Sequence, residues 1–376
     1  MMLLEHQGKA LLAAAGVKVP RGRVVRNAAA AKSMRIPFPV AVKAQIAAGG
    51  RGKAGGVVKA SSSAGVAKAL KQLFARGLNG ERVREVLLEP WLDIRRELYL
   101  SVTVDPEAEG YAVLYSPQGG VNVERNTPPL RYGFGRLDNF RAYRLRELLR
   151  DRETDDAVRE RVVSIAARLV TLAGRRECTT VEINPLAVLG DGSIVATDAK
   201  VVRDDHAAFR VGDIGELLEQ ARRKERPAIA KALAGDLMLV WLDGEVGHIS
   251  GGAGMTMAAM DVIAEAGGRP ACFLDCSNNP TPAGYRLAFE LLDRDAGVKV
   301  ILVSIFGGLT QMDRVAPVMC EIMKERRSKK PVVFRLNGTN AARANEILAQ
   351  AGLHNYATLE EAVKEAVGLS GREKRR

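Results

Sequence analysis

From about residue 236 onward, short apolar runs alternate with amphipathic stretches, and this alternation leaves few folds open. "DLMLVWLDGEVGHIS" reads as a strand region and "MTMAAMDVIAEAGG" as a helix. "ACFLDC" and "VKVILVSIF" read as buried strands, with "PAGYRLAFELL" as the helix between them. "PVVFRLNG", "ARANEILAQAG", "NYAT" and "LEEAVKEAVG" continue the series. Strands that alternate with helices of roughly ten to fifteen residues form βαβ units, and these predict a parallel sheet. Ligands meet such sheets beyond the carboxyl ends of the strands. Those ends read "SGGAGM", "DCSNNPTP", "FGGLTQ" and "NGTNAA". Glycine and small polar residues there leave backbone N–H groups open at helix N-termini, which favours anions.

The first part of the chain has a different texture, mixed α+β up to about residue 210. A helix is expected over Glu5–Ala15, closed by Gly16 in a C-terminal capping position. "PFPVAVKAQI" predicts a strand ending near Ile46, and "VREVLLEPWLDIRRELYL" predicts one to Glu89, a break at Pro90 and another from about Glu97. "TDDAVRERVVSIAARLVTLAG" has helical periodicity. Residues 211–235 are charged and helical, a plausible linker. A chain of 376 residues exceeds one ordinary core, and the expected domains are 1–220 and 235–376.

Composition narrows the function classes. With 47% hydrophobic and 27% charged residues the chain has ample core material, and it contains no apolar run of 18 residues. The start, "MMLLEHQGKALLAAAGVKVP", places Glu5 and Lys9 inside a helical pattern without a basic leader, so no signal peptide is expected. Cys178, Cys272, Cys276 and Cys320 form no CxxC pair and read as buried thiols of a reducing compartment, the cytoplasm. The net charge of +12 favours polyanionic ligands. Its basic residues are scattered, apart from a tail "GREKRR" read as solvated, and aromatic residues reach only 5%, too few for base-stacking surfaces.

Three stretches carry candidate chemistry. "KAQIAAGGRGKAGG" (Lys43 to Gly56) has five glycines that let backbone N–H groups approach an anion, with Lys43, Arg51 and Lys53 supplying charge. It is not a Walker A loop, and a plain surface loop has the same composition. "LLEPWLD" (Leu87 to Asp93) is a strand broken at proline, whose freed backbone suits either an adenine edge or an ordinary strand end. "VEINPLAVLGDGSIVATDAK" (Val181 to Lys200) reads as a hairpin turning at Asp191. In that register Val188 faces Ile194, Leu186 faces Ala196, Asn184 faces Asp198 and Glu182 faces Lys200. Asn and Asp are poor strand residues, so this quartet is either a solvated face or an oxygen-rich cation site. Mg²⁺ takes one or two protein oxygens plus nucleotide phosphates. The histidines, His6, His206, His248 and His354, form no Ser-His-Asp set, and His248 reads as a structural residue at a strand end.

Over nearly the whole chain, "EHQGKALLAAAGVKVP", "VKAQIAAGGRGKAGG", "DIRRELYL", "EINPLAV", "TDAK", "GGAGMTMAAMD", "FLD" and "IFGG" follow one another in an order that resembles the β subunits of succinate–CoA ligases. The resemblance implies an α/β protein, an ATP-grasp domain (α+β) followed by a flavodoxin-like, doubly wound parallel-sheet CoA-ligase domain. It implies nucleotide contacts at Lys43, Gly50, Arg51, Gly52, Glu89, Leu92 and Glu97, and Mg²⁺ ligands at Asn184 and Asp198. Glu182 matches the acidic residue beside a phosphohistidine visiting the ATP-grasp site, and Pro20 matches a gate position that is proline in ATP-preferring relatives. The implied reaction is reversible. ATP, a carboxylate and CoA give ADP, phosphate and acyl-CoA, with succinate, a tricarboxylic acid cycle acid, as the default. The phosphoryl group travels on a histidine of an α subunit, in a heterodimer or heterotetramer. No nucleic-acid or membrane partner is implied.

The acyl-substrate positions fall on Gly251, Gly308, Leu309 and Thr310, where the chain departs from the family. "GGAG" stands for "NGAG", so Gly251 replaces a carboxylate-binding Asn. Ser277-Asn278-Asn279-Pro280 stands for "GGGA", and Gly308-Leu309-Thr310-Gln311 replaces a stretch ending in Arg. Ala47 takes the place of a histidine before the glycine-rich loop. Three other readings stay open: a ligase for malate, citrate or another acid, a nucleotide-binding regulatory subunit, and a nucleic-acid binder. The last lacks a basic recognition helix.

Overall fold

The computed structural model describes residues 1–29, 37–47, 49–78, 81–120, 128–224 and 226–372. Ala48 of the glycine-rich loop and 373–376 of the basic tail lie outside them. The chain divides into two compact units, Met1–Leu218 and Glu219–Arg376.

The first unit opens with α1 (Glu5–Ala14), which buries Glu5, Gly8, Lys9 and Leu12 along one stripe and ends before Gly16 at φ +80°. Its smaller sheet is antiparallel, in the order β1 (Arg23–Val25), β4 (Glu85–Pro90), β2 (Val40–Gln45) and β3 (Val57–Ala60). It packs on α2 (Ser63–Arg76), whose Val66, Ala69, Leu70 and Leu73 recur at helical spacing. The larger sheet runs β10 (Lys200–Arg203), β8 (Cys178–Leu189), β5 (Ile94–Asp105), β6 (Gly110–Ser116) and β7 (Leu130–Gly135), with β9 (Ile194–Ala196) also on β8. Beneath it lie α3 (Ala142–Leu149) and α4 (Asp156–Arg175). The N-cap Asp155 of α4 accepts from Val158 N at 3.1 Å, and Val162, Ala166, Leu169 and Ala173 form its buried stripe. Each buried aliphatic side chain of this kind contributes about 1.5–3 kcal/mol. Residues 211–235 hold α5 (Gly212–Lys224) and α6 (Pro227–Ala234).

The second unit has a five-stranded sheet ordered β11 (Met238–Trp241), β13 (Cys272–Asp275), β12 (Val246–Ser250), β14 (Val300–Gly307) and β15 (Val332–Gly338). β12, β13, β14 and β15 are parallel, in the 2-1-3-4 order of flavodoxin-like sheets. Helices α7 (Ala253–Glu265) and α11 (Leu359–Arg372) cover one face. The other face packs against α6, α8 (Pro282–Arg294), α9 (Met312–Glu325) and α10 (Ala341–Gln350).

Two expectations need correction. The sheet is not wholly parallel, because β11 pairs antiparallel with β13. "NYAT" is not a strand: only Asn355 bridges to Phe334, and its side chain is spent on Leu336 N and O. Helix α9, with Pro317 inside it, had no sequence counterpart because proline interrupts the helical pattern. No helix among the described residues is long and apolar enough to cross a membrane.

His248 occupies the middle of β12 rather than its end. It is fully buried, and neither ring nitrogen has a partner among the described residues. Burial lowers its pKa to about 4, so the unfolded chain takes up the proton first. Stability is therefore full above an unfolded value of about 6.5 and falls as pH drops toward 4, by on the order of 3 kcal/mol. His248→Leu should flatten this slope. Urea unfolding followed by Trp241 fluorescence at pH 7.5 and 5 checks it, and an identical slope in the variant contradicts the assignment.

Candidate functional site

A cavity of about 600 Å³ opens in the first unit, and both of its sheets supply walls. Every nucleotide, metal and acidic position expected from the sequence reaches it: Lys43, Gly50, Arg51, Gly52, Glu89, Leu92, Glu97, Glu182, Asn184 and Asp198, together with Pro20 and Lys200. Apolar lining comes from Ile46, Trp91 and Ile94 among others.

The local conformations follow from residue type. The glycine-rich stretch folds as a compact turn, with Gly56 N on Arg51 O at 2.8 Å and Ala54 N on Gly50 O at 3.2 Å. Gly50 sits at φ +74°, where a side chain is strained. At the end of β4, Trp91 N donates to Pro39 O at 2.8 Å, whereas Leu92 N has no partner among the described residues. The hairpin register holds on both sides: Leu186 faces Ala196 and Val188 faces Ile194 near the turn, and Glu182 faces Lys200 further in. Between them Thr197–Ala199 leave the strand, and the Asn184–Pro185 bond is cis. Thr197 still bonds Pro185 O through both its N–H and its hydroxyl. The polar quartet is thus a cavity wall, not a solvated face.

Asn184 is held by Gly120, whose N–H donates to Oδ1 at 2.6 Å and whose carbonyl accepts from Nδ2 at 3.2 Å. Gly120 sits at φ +87°, where a side chain is strained, so glycine suits that position. Glu182 accepts from Tyr99 Oη at 3.4 Å. Asn184 and Asp198 offer an amide and a carboxylate oxygen to the cavity. These are hard donors too few to cage a cation, as suits Mg²⁺ completed by water and phosphate oxygens. Among the described residues no cluster of three or more His, Cys, Asp or Glu side chains forms an all-protein metal site.

The strongest feature beside the cavity is a buried ion cluster. Lys9 Nζ lies 2.7 Å from Glu5 Oε1 and donates to Glu89 Oε1 at 2.6 Å and Oε2 at 2.7 Å. Lys43 Nζ reaches Glu5 at 3.0 Å, Glu89 at 2.9 Å and Thr197 O at 2.6 Å, which occupies all three of its donors. Arg51 donates to Glu5 at 2.9 Å and to Asp198 at 2.6 Å. Burial opposes ionisation of Glu5, but Lys43, Lys9 and Arg51 hold its carboxyl well below the usual range. Burial likewise opposes the charged forms of Lys43 and Arg51. Glu5 and Glu89 raise Lys43, and Asp198 and Glu5 raise Arg51. Lys9 is lowered, by burial first and then by Lys43. The sequence reading missed Glu5 and Lys9 as site residues. Their signal was their spacing, because residues 5, 9 and 12 share the stripe that buries Leu12. Gly120, Tyr99 and Thr197 were also missed, and no local pattern marks them.

In the second unit the acyl positions do not converge as tightly. Leu309 and Thr310, with Gln311, line a hollow of about 440 Å³ together with Pro280, Tyr285 and Arg314, whereas Gly251 and Gly308 lie outside that lining. Leu309 is fully exposed. Asp275 ties the ends of β12 and β13 by accepting from Gly252 N at 2.7 Å and Ser277 N at 2.8 Å.

Comparison with known proteins places this geometry. The ATP-grasp domain family matches residues 2–188 and the CoA-ligase family matches residues 249–369. The chain is therefore an ATP-grasp protein carrying a CoA-ligase domain. The ADP-forming succinate–CoA ligase β subunit of Desulforapulum autotrophicum is 36% identical over 94% of this chain and 95% of its own length. The subunit of the same name from Pyrobaculum calidifontis is 35% identical over 98% of this chain and 100% of its own. The chain belongs to the family of ADP-forming succinate–CoA ligase β subunits. In fold it also resembles the ATP citrate lyase of Methanothrix soehngenii, solved with citrate and coenzyme A. The TM-score is 0.74 at 18% identity, covering 98% of this chain and 99% of that one.

Removing one partner from a buried ion cluster leaves charge uncompensated, at a cost of about 3–5 kcal/mol. Glu5→Gln keeps the shape and should destabilise the first unit by about that amount, read from urea unfolding of Trp91 fluorescence in a Trp241→Phe background. A loss below about 1 kcal/mol would show the cluster to be energetically idle.

Proposed function

We propose that this chain is the β subunit of an ADP-forming carboxylate–CoA ligase, binding Mg-ATP in the cavity of its first unit and working with an α subunit that carries the phosphoryl group on histidine. The observation that carries the reading is the meeting of a glycine-rich backbone with Lys43, Arg51, Glu182, Asn184 and Asp198 in one cavity. Phosphoryl transfer depends on positioning and charge neutralisation more than on covalent chemistry by the protein. Lys43 and Arg51 neutralise phosphate charge, and the N–H groups of the turn at Gly50–Gly52 supply donors. Asn184 and Asp198 would hold Mg²⁺, which would supply further neutralisation of phosphate charge. Arg51 sits on Oδ1 of Asp198 at 2.6 Å, so a metal held there would lie beside the guanidinium that faces the phosphates. Glu182 is the acceptor that orients the partner's imidazole. The net reaction converts ATP, a carboxylate and CoA to ADP, phosphate and acyl-CoA.

The acid itself has two readings. Succinate follows from the family. A different acid is favoured by the second unit, where Gly251 lacks the amide and Gln311 lacks the guanidinium that the family resemblance places at those positions. Loss of a bidentate partner weakens carboxylate binding.

Asp198→Ala should weaken Mg-ATP binding at least tenfold, about 1.4 kcal/mol, in a folded protein. Calorimetry giving unchanged affinity would refute the metal assignment. The chain incubated alone with labelled ATP should remain unlabelled, while addition of its α subunit should create acid-labile, alkali-stable phosphate on the partner. Stoichiometric label on His248 would contradict the two-subunit reading.

A further inference from the structure

Lys9 is 5% exposed at its side chain and does not line the cavity, so it cannot touch an occupant. Nevertheless, it contacts Glu5 and Glu89, the two carboxylates that hold Lys43, and Glu5 also holds Arg51. The charges can be counted. Glu5 and Glu89 contribute two negative charges, and Lys43 and Arg51 two positive ones. Without Lys9 these four cancel, and Lys43 is bound on equal terms to two anions. With Lys9 the buried group carries one net positive charge, and both oxygens of Glu89 are shared with a second ammonium at 2.6 and 2.7 Å. Asp198, whose side chain is 37% exposed, is the only further carboxylate on Arg51 among the described residues.

Resting on the nucleotide reading above, we propose that Lys9 is a positioning residue for the phosphate cations, and that the Glu89 carboxylate serves the same cluster and not the nucleotide. Glu89 reaches the cavity, but its side chain is 2% exposed and directed onto Lys9 and Lys43. Lys9 shares Glu5 and Glu89 with Lys43 and brings the one positive charge in excess, and so leaves Lys43 free to exchange one of its three acceptors for a phosphate oxygen. At the same time it joins α1 to β4, so the end of Lys43 keeps its place when one contact is given up. A purely structural Lys9 would join the same elements and have no effect on anion affinity once the fold is intact.

The two roles separate in a charge-compensated cycle on the full chain, with Mg-ADP binding read by calorimetry and folding by thermal unfolding. Lys9→Met should weaken ADP binding tenfold or more. Glu89→Gln, which removes one negative charge, should bind ADP at least as tightly as the unmodified chain. Lys9→Met combined with Glu89→Gln restores the net charge, and its affinity should return to within threefold of the unmodified protein. Three results would overturn the proposal: Lys9→Met within threefold of the unmodified chain, tenfold weaker binding by Glu89→Gln, or a folded double variant as weak as Lys9→Met. Should Lys9→Met fail to fold, the double variant and Glu89→Gln decide. Should the double variant fail as well, Glu89→Gln decides alone, because a carboxylate contacting nucleotide predicts loss and a cluster carboxylate predicts none. An unmodified chain that binds no ADP would defeat the nucleotide reading itself. Binding by the unmodified chain with an indifferent Lys9→Met would defeat only this inference.

Discussion

Five ionised side chains packed beneath one cavity set the terms for the first unit. A lone buried charge costs several kcal/mol, and pairing repays that only when geometry and hydrogen bonding are good. Glu5, Lys9, Lys43, Arg51 and Glu89 come from α1, β2, the glycine-rich turn and β4, so none of these elements can settle without the others. Gly8 eases the approach: a Cβ there would lie at a tight 3.2 Å from both Ala199 and Val201. The helix that supplies Glu5 and Lys9 therefore fixes the wall that supplies Asp198. One electrostatic constraint joins residue 5 to residue 198, and the cavity is the space it leaves.

The same constraint explains what the sequence could and could not disclose. The hairpin register was legible because period-two alternation and a Gly-Asp-Gly turn define it locally, and Glu182 faces Lys200 as that arithmetic requires. The break between these pairs was not, since it depends on how Pro185, which has no N–H, meets Thr197. The α4 stripe and the strands of the second unit were legible for the same periodic reason. The direction of β11 was hidden, because an apolar run of four residues at a sheet edge has no polarity of its own. In the sequence Glu5 and Lys9 stand only as charged residues inside a helical pattern, and the carboxylate from β4 and the cations from β2 and the turn make them part of a buried cluster. Gly120 stands 64 residues from the Asn184 it holds, and no window of sequence shows such a contact.

The two units differ in how firmly they commit to chemistry. In the first, each expected site position reaches one cavity, and Lys43, Arg51, Glu89 and Asp198 have charged partners at hydrogen-bond distance. In the second, the parallel sheet supplies strand ends and a helix whose N-cap Thr281 accepts from Gly284 N. The side chains that would select an acid are small, amide-bearing or exposed there. The positions proposed for nucleotide thus rest on buried electrostatics, which tolerate little change. The positions proposed for the acyl substrate sit on half-buried to exposed loops, where substitution is tolerated by the fold.

Amide hydrogen exchange with and without Mg-ADP tests the nucleotide assignment most directly, because it reads every segment of the chain at once. We expect added protection in 43–57, 85–97 and 182–200, three segments far apart in sequence that meet only at the cavity, and little change across 246–338. Protection confined to the second unit, or absent from these three segments while ADP is bound, would contradict a nucleotide site in the first unit.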